Sequence, residues 1–201
     1  MPDSGSNENQ AGPRPERRPS IESGRIKIRP ITAAARFVLR CKPDDIAALT
    51  GAFGVPLPRT SCQAAVAGTR ASLWLGPDEW LLLTDDGSQS VIEGAFASLS
   101  SQLRFSLVDV SHRFSGVTLS GSAAADALSV GCPLDLHDSV FTVSSCTRTL
   151  FGKCEIILWR ASTNTFRLEF GRSYADYVWR LLQVACSDTA RTVIPAKAGI
   201  R

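Results

Sequence analysis

Between residues 35 and 186 the chain alternates short runs of apolar and β-branched residues with segments whose apolar positions recur at helical spacing. Arg36-Phe37-Val38-Leu39-Arg40-Cys41 predicts a strand at 36–41. Pro43 then stands where the first turn of a helix tolerates it, and Asp44 and Asp45 suit the positive end of the helix dipole. This helix runs to about Phe53 and stops at Gly54, ahead of Pro56. Strands are predicted around 63–67, 71–75 and 79–84, with Gly76-Pro77-Asp78 turning between the last two. Val91, Ile92, Ala95, Phe96 and Leu99 share one face of a predicted helix over 89–99.

The second half repeats the order. Strands are predicted at 107–110 and 116–119, and a helix opens at Gly121-Ser122 and ends before Gly131-Cys132-Pro133. Strands follow around 145–150, 155–159 and 165–170, and a closing helix over 174–186 carries Tyr174, Val178, Leu181, Leu182 and Ala185 on one face. Gly54-Val55-Pro56-Leu57 parallels Gly131-Cys132-Pro133-Leu134, Cys62 parallels Cys146, and the hairpin at 73–84 parallels 157–168. Each half is thus a β-α-β-β-β-α unit that leaves an apolar face to hide against the other. The expected fold class is α+β, a two-lobed body with a pseudo-two-fold repeat, its lobes at about 35–105 and 106–186 of a domain spanning 26–186. Residues 1–25 are rich in Pro, Ser, Gly, Asn and charge and bury too little to offset ordering entropy, so a disordered N-terminal extension is expected there. A flexible tail is expected over 187–201.

Composition narrows the function classes. The formal net charge of +3 comes from the two ends, each with two excess positive charges, while the body between them is slightly acidic. Its basic residues are scattered singly, unlike the clusters that neutralise nucleic-acid phosphates. No window of 18 uncharged apolar residues and no apolar leader in the first 25 residues predict a cytoplasmic chain without a transmembrane helix. The six cysteines include no C-x-x-C pair and sit mostly in apolar stretches, so buried structural thiols are expected rather than disulfides or a metal site.

Candidate chemistry is sparse. Asp109-Val110-Ser111-His112 places a carboxylate, a hydroxyl and an imidazole within four residues, but Ser111 lies outside a G-x-S-x-G elbow and strand neighbours point to opposite faces. Asp109 and Ser111 are therefore expected to satisfy backbone N–H groups at a strand end. His137 is expected in a surface loop, without a second His or Cys at ligand spacing. The pairs Asp44/Asp45, Asp78/Glu79 and Asp85/Asp86 are expected at helix starts and turns. No phosphate- or dinucleotide-binding glycine motif is present. Catalytic, cofactor-binding and metal residues are each expected to number none. Trp80-Leu81-Leu82-Leu83 is apolar on both faces of its strand and must be covered on both, by the second lobe or by a partner protein.

Leu75-Gly76-Pro77-Asp78-Glu79-Trp80-Leu81-Leu82, Val108-Asp109-Val110-Ser111-His112-Arg113 and Gly131-Cys132-Pro133-Leu134-Asp135-Leu136, with Arg148 and Thr149 downstream, resemble the gamma subunit of heterotetrameric sarcosine oxidase. The likeness covers roughly residues 35–185. The Asp-Val-Ser-His stretch with its following Ser-Gly is also similar to the folate-binding aminomethyltransferase group. The resemblance implies a non-catalytic subunit supporting oxidative demethylation of sarcosine to glycine, with hydrogen peroxide and methylenetetrahydrofolate formed. It implies alpha, beta and delta subunits as partners, and FAD, FMN, NAD, tetrahydrofolate and zinc on those subunits rather than on this one. The alternatives are a stand-alone folate-binding or methyl-transfer protein, which predicts a deep polar pocket with a carboxylate between the lobes, and an interaction scaffold unconnected with sarcosine.

Overall fold

A computed structural model describes residues 18–31, 34–84 and 87–191. Its strands are β1 (Ile21–Ser23), β2 (Ile26–Ile31), β3 (Ala35–Cys41), β4 (Ala64–Ala67), β5 (Arg70–Gly76), β6 (Glu79–Thr84), β7 (Phe105–Asp109), β8 (Phe114–Ser120), β9 (Cys146–Phe151), β10 (Cys154–Ser162) and β11 (Thr165–Gly171). Its α-helices are α1 (Ile46–Phe53), α2 (Gln89–Leu99), α3 (Ala124–Ser129) and α4 (Ala175–Arg191), with a 3-10 turn before α1 and another before α4. α1 ends where Gly54 takes the left-handed conformation, φ 79°, which lets its N–H reach Thr50 O at 2.8 Å.

The strands form two sheets, ordered β1-β2-β8-β11-β10-β9 and β4-β5-β6-β3-β7. Alternation along each strand sends one set of side chains to a helix pair and the other to the opposite sheet. Phe37, Leu39, Trp80 and Leu82 pack with Leu49, Phe53, Ile92 and Phe96 under α1 and α2. Val117, Leu119, Phe166 and Leu168 pack with Leu128, Val178 and Leu182 under α3 and α4. Leu73, Leu81, Leu83, Ile157 and Trp159 fill the space between the sheets. The layers are therefore helix, sheet, sheet, helix.

The pseudo-two-fold is visible atom by atom. Ala64 N donates to Ser144 O at 2.8 Å, and Cys146 N donates to Cys62 O at 2.8 Å. Cys62 and Ser144, at φ 61° and 72°, are the only described non-glycine residues with positive φ. Trp74 and Arg160 sit at matching bulges and donate to Gln63 O and Ser145 O. The structural mate of Cys62 is thus Ser144, two positions from the Cys146 that the repeat suggested; the second half gains residues in the β9–β10 hairpin, where Cys146 pairs with Trp159 while its mate Ala64 pairs with Leu73.

The halves also exchange a strand. β2 precedes the first unit yet pairs with β8 of the second, whereas β7 precedes the second unit and pairs with β3 of the first. Three boundaries differ from expectation. Ile21–Ser23 is a strand inside the stretch expected to be disordered to residue 25, and β2 was not anticipated as an element. α4 continues to Arg191, into the stretch expected to be a flexible tail. The remainder of both terminal expectations, residues 1–17 and 192–201, lies outside the described residues.

Candidate functional site

Asp109 closes β7 with an Asx-type turn: its Oδ1 accepts the Ser111 N–H at 2.8 Å and the Ser111 hydroxyl at 2.5 Å. Ser111 Oγ in turn accepts the Arg36 N–H at 2.9 Å, tying the crossover between the sheets to β3. Gln89 Nε2 donates to Asp109 Oδ2 at 3.0 Å. Burial pushes the Asp109 carboxyl up, but the Ser111 hydroxyl and amide, the charge of His112 and Gln89 outweigh it and hold the group below the ordinary carboxylate value. His112 is exposed beside this turn. Both polar groups of the motif are engaged by backbone, as their position at a strand end predicts.

His137 lies in an exposed loop, its N–H bonded to Asp135 Oδ1 at 2.9 Å and its Nδ1 2.8 Å from Ser139 Oγ. Arg160, buried on β10, holds this loop through the carbonyls of Leu136 and Phe141 at 3.3 and 2.7 Å and through Asp138. Asp44 and Asp45 occupy the 3-10 turn before α1. Asp78 lies 3.6 Å from Arg40, and Glu79 pairs with Arg148, which also donates to Leu75 O at 3.1 Å and so clips the β5–β6 turn to the other lobe. Asp85 and Asp86 lie outside the described residues. Among the described residues, no group of three or more His, Cys, Asp or Glu is placed to hold a metal ion.

All six cysteines are free and all but Cys62 are buried. Burial pushes the Cys146 thiol up to about 12; burial, reinforced by neighbouring carboxylates, pushes Cys41 and Cys154 up to about 11. These thiols are packing groups, not nucleophiles.

Trp80–Leu83 is covered on both faces from within the chain. Trp80 and Leu82 lie in the helix-side core and Leu81 and Leu83 between the sheets, all at most 1% exposed. Trp80 Nε1 donates to Pro58 O at 2.8 Å. The partner-surface reading of this run is corrected accordingly: the second sheet lies where a partner was one of two expected covers.

The least expected feature lies at the seam between the lobes. Glu169 of β11 is fully buried and accepts from Arg36 Nε of β3 at 2.6 Å and from Arg167 Nε at 2.7 Å. A Cβ on Gly116 would lie 2.8 Å from both Arg36 Nη2 and Glu169 Oε1, so only glycine leaves room for the pair. Arg36 Nη2 is itself buried and makes no hydrogen bond among the described residues. This triad joins residues far apart in sequence, and the singly scattered charges of the chain carried no signal for it.

The profile of the "Sarcosine oxidase, gamma subunit family" matches residues 40–188. The sarcosine oxidase subunit gamma of Corynebacterium sp. (strain U-96) is 32% identical over 169 residues, covering 81% of this chain and 80% of its own length. That of an Arthrobacter sp. is 33% identical over 148 residues, covering 72% of this chain and 71% of its own. Among solved structures, a chain of the heterotetrameric sarcosine oxidase from Corynebacterium sp. U-96 superposes with a TM-score of 0.75 at 28% identity, covering 90% of this chain and 91% of that one. The glycine cleavage system aminomethyltransferase T from Bartonella henselae, at 12% identity and a TM-score of 0.59, shares the fold over 84% of this chain and 51% of its own.

Proposed function

Because this chain belongs to the sarcosine oxidase gamma subunit family, we propose that it is the non-catalytic gamma subunit of a heterotetrameric, cytoplasmic sarcosine oxidase. In this role it joins alpha, beta and delta subunits that carry the FAD, FMN, NAD, tetrahydrofolate and zinc. The complex would oxidatively demethylate sarcosine to glycine, forming hydrogen peroxide and methylenetetrahydrofolate. No helix among the described residues is long and apolar enough to cross a membrane.

The observation that carries the non-catalytic reading is the seam. A folate-binding relative of this fold would need a roomy polar pocket between the lobes with an available carboxylate. Here that space is filled by Leu73, Leu81, Leu83, Ile157 and Trp159, and Glu169 is held by two arginines. Each Glu169 oxygen already accepts from an arginine, which argues against its meeting a pterin. This filling of the seam supports the reading that folate and flavin are held by other subunits. The tightly closed core suits a subunit that acts by burying surface against larger neighbours.

Co-expression with the candidate alpha, beta and delta subunits tests this reading. A tag on this chain is expected to recover all four in equal amounts, while calorimetry of the isolated chain with tetrahydrofolate registers no binding. Turnover of sarcosine by the isolated chain, lost on replacing Ser111 or His112, would refute it.

A further inference from the structure

The two lobes are not finished alike at their outer edges. The outer edge of β2 carries β1, with Ile21 opposite Ile28 and Ser23 opposite Ile26. β7 is the structural mate of β2. Leu39 pairs with Trp80 on one side and Leu107 on the other, and Leu119 pairs with Phe166 and Ile28 in the same way. Leu107 therefore corresponds to Ile28 and Phe105 to Ile26. Yet β7 ends its sheet, and no described strand lies beyond it.

The edge is chemically open. Val110 N donates to Arg36 O at 2.8 Å, and bonded and non-bonded pairs alternate along an antiparallel ladder. Ser106 and Val108 thus turn their amides toward β3, while Phe105, Leu107 and Asp109 turn theirs outward. β7 contains no proline, lysine or bulge of the kind that blunts a free edge. The side chains tell the same story. Ile26 and Ile28 are 3% and 0% exposed under β1, whereas their mates Phe105 and Leu107 remain only half-buried. Beside Phe105, a depression of about 500 Å³ is lined by Arg40, Lys42 and Arg104 against a single carboxylate, Asp78.

Resting on the subunit reading above, we infer that the outer edge of β7 receives an extended segment of a partner subunit, added antiparallel as β1 is added to β2. An apolar side chain of that segment lies opposite Leu107. Past the residue opposite Phe105, a carboxylate faces Arg104 and Lys42. Main-chain bonds give such an addition its affinity, and the alternate side chains give it selectivity.

Residue-resolved hydrogen exchange on the isolated full chain and on the assembled complex tests this. The amides of Phe105, Leu107 and Asp109 are expected to slow at least tenfold on assembly, and those of Ser106 and Val108, already bonded to β3, to change far less. Leu107→Pro, which removes an outward amide, is expected to weaken capture of the partner subunits at least tenfold beyond Leu107→Ala, which keeps it. Arg104→Glu, on an exposed side chain, is expected to weaken capture several-fold and to reduce its salt dependence. An intact complex with unprotected edge amides, or with equal capture by the two Leu107 variants, overturns the inference and leaves the subunit assignment standing. Protection already present in the isolated chain assigns the edge to the chain itself or to a second copy and also overturns it. Failure of any complex to form removes both readings.

Discussion

The first lobe places Arg36 opposite Leu83 on neighbouring strands, and the second places Gly116 opposite Glu169 at the matching positions. The backbone repeats, but the polar chemistry does not. A charged pair cannot occupy both sides of a two-fold seam when the side chains would collide, so one half supplies the arginine and the other gives up its side chain to admit it. The pair is thereby a lock between unlike halves, and it fixes which face of one sheet meets the other. A buried ion pair adds little net stability over a packed apolar pair, but losing one partner is costly.

That asymmetry is open to direct attack. Glu169→Leu, which installs the residue of its mate Leu83, is expected to cost about 3–5 kcal/mol in urea unfolding because Arg36 is left buried without a counter-charge. Adding Arg36→Leu is expected to recover about 1–3 kcal/mol through coupling, and strict additivity would show that the two halves are not locked by this pair. Deleting residues 1–23 would make the β2 edge resemble that of β7. The loss of cover over Ile26 and Ile28 is expected to cost about 2 kcal/mol and to expose their amides to exchange.

Smaller effects sharpen the comparison at the crossovers. Ser111→Ala is expected to cost about 1 kcal/mol by freeing the Arg36 amide. Because the folded Asp109 carboxyl lies below its unfolded value of 3.8, its contribution is complete above that pH and is lost as pH falls through the folded value. The group is exposed, so the effect stays under about 1 kcal/mol, and Asp109→Asn is expected to flatten that part of the stability profile. Finally, a thiol reagent is expected to label Cys62 before any other cysteine of the native chain, since the remaining thiols are buried. Prior reaction of Cys146 would contradict the packed interface between the sheets.

Elements built from local pattern were legible in the sequence. The helix at 89–99 coincides with α2, and the turn at Gly76-Pro77-Asp78 and the doubled β-α-β-β-β-α order are all present. β2 went unread although Ile26-Lys27-Ile28-Arg29 alternates as a half-buried strand does: Pro30 and the polar stretch before it pointed to disorder, and its pairing with β8, far along the chain, left no local trace. The exchange of β2 and β7 was invisible for the same reason: periodicity reports which face of a strand is apolar, not which sheet receives it. At Trp80–Leu83, periodicity correctly required cover on both faces, but could not say that the other half of the same chain supplies it. The seam triad had no local signature at all, because its parts lie on β3 and β11 and only the fold brings them within hydrogen-bond reach.

The exchanged leading strands bear on how the polypeptide is born. As it leaves the ribosome, β2 has only the short β1 beside it until residues 114–120 emerge, and the first sheet lacks its outer strand until residues 105–109 do. The first sheet can complete its strands before the second half is made, whereas β2 waits for β8, and contacts of such long sequence separation slow folding. Maturation then runs from the first sheet to the second, and a ribosome stalled between residues 109 and 114 would present β2 and the uncovered inner face of the first sheet to the cell's chaperones.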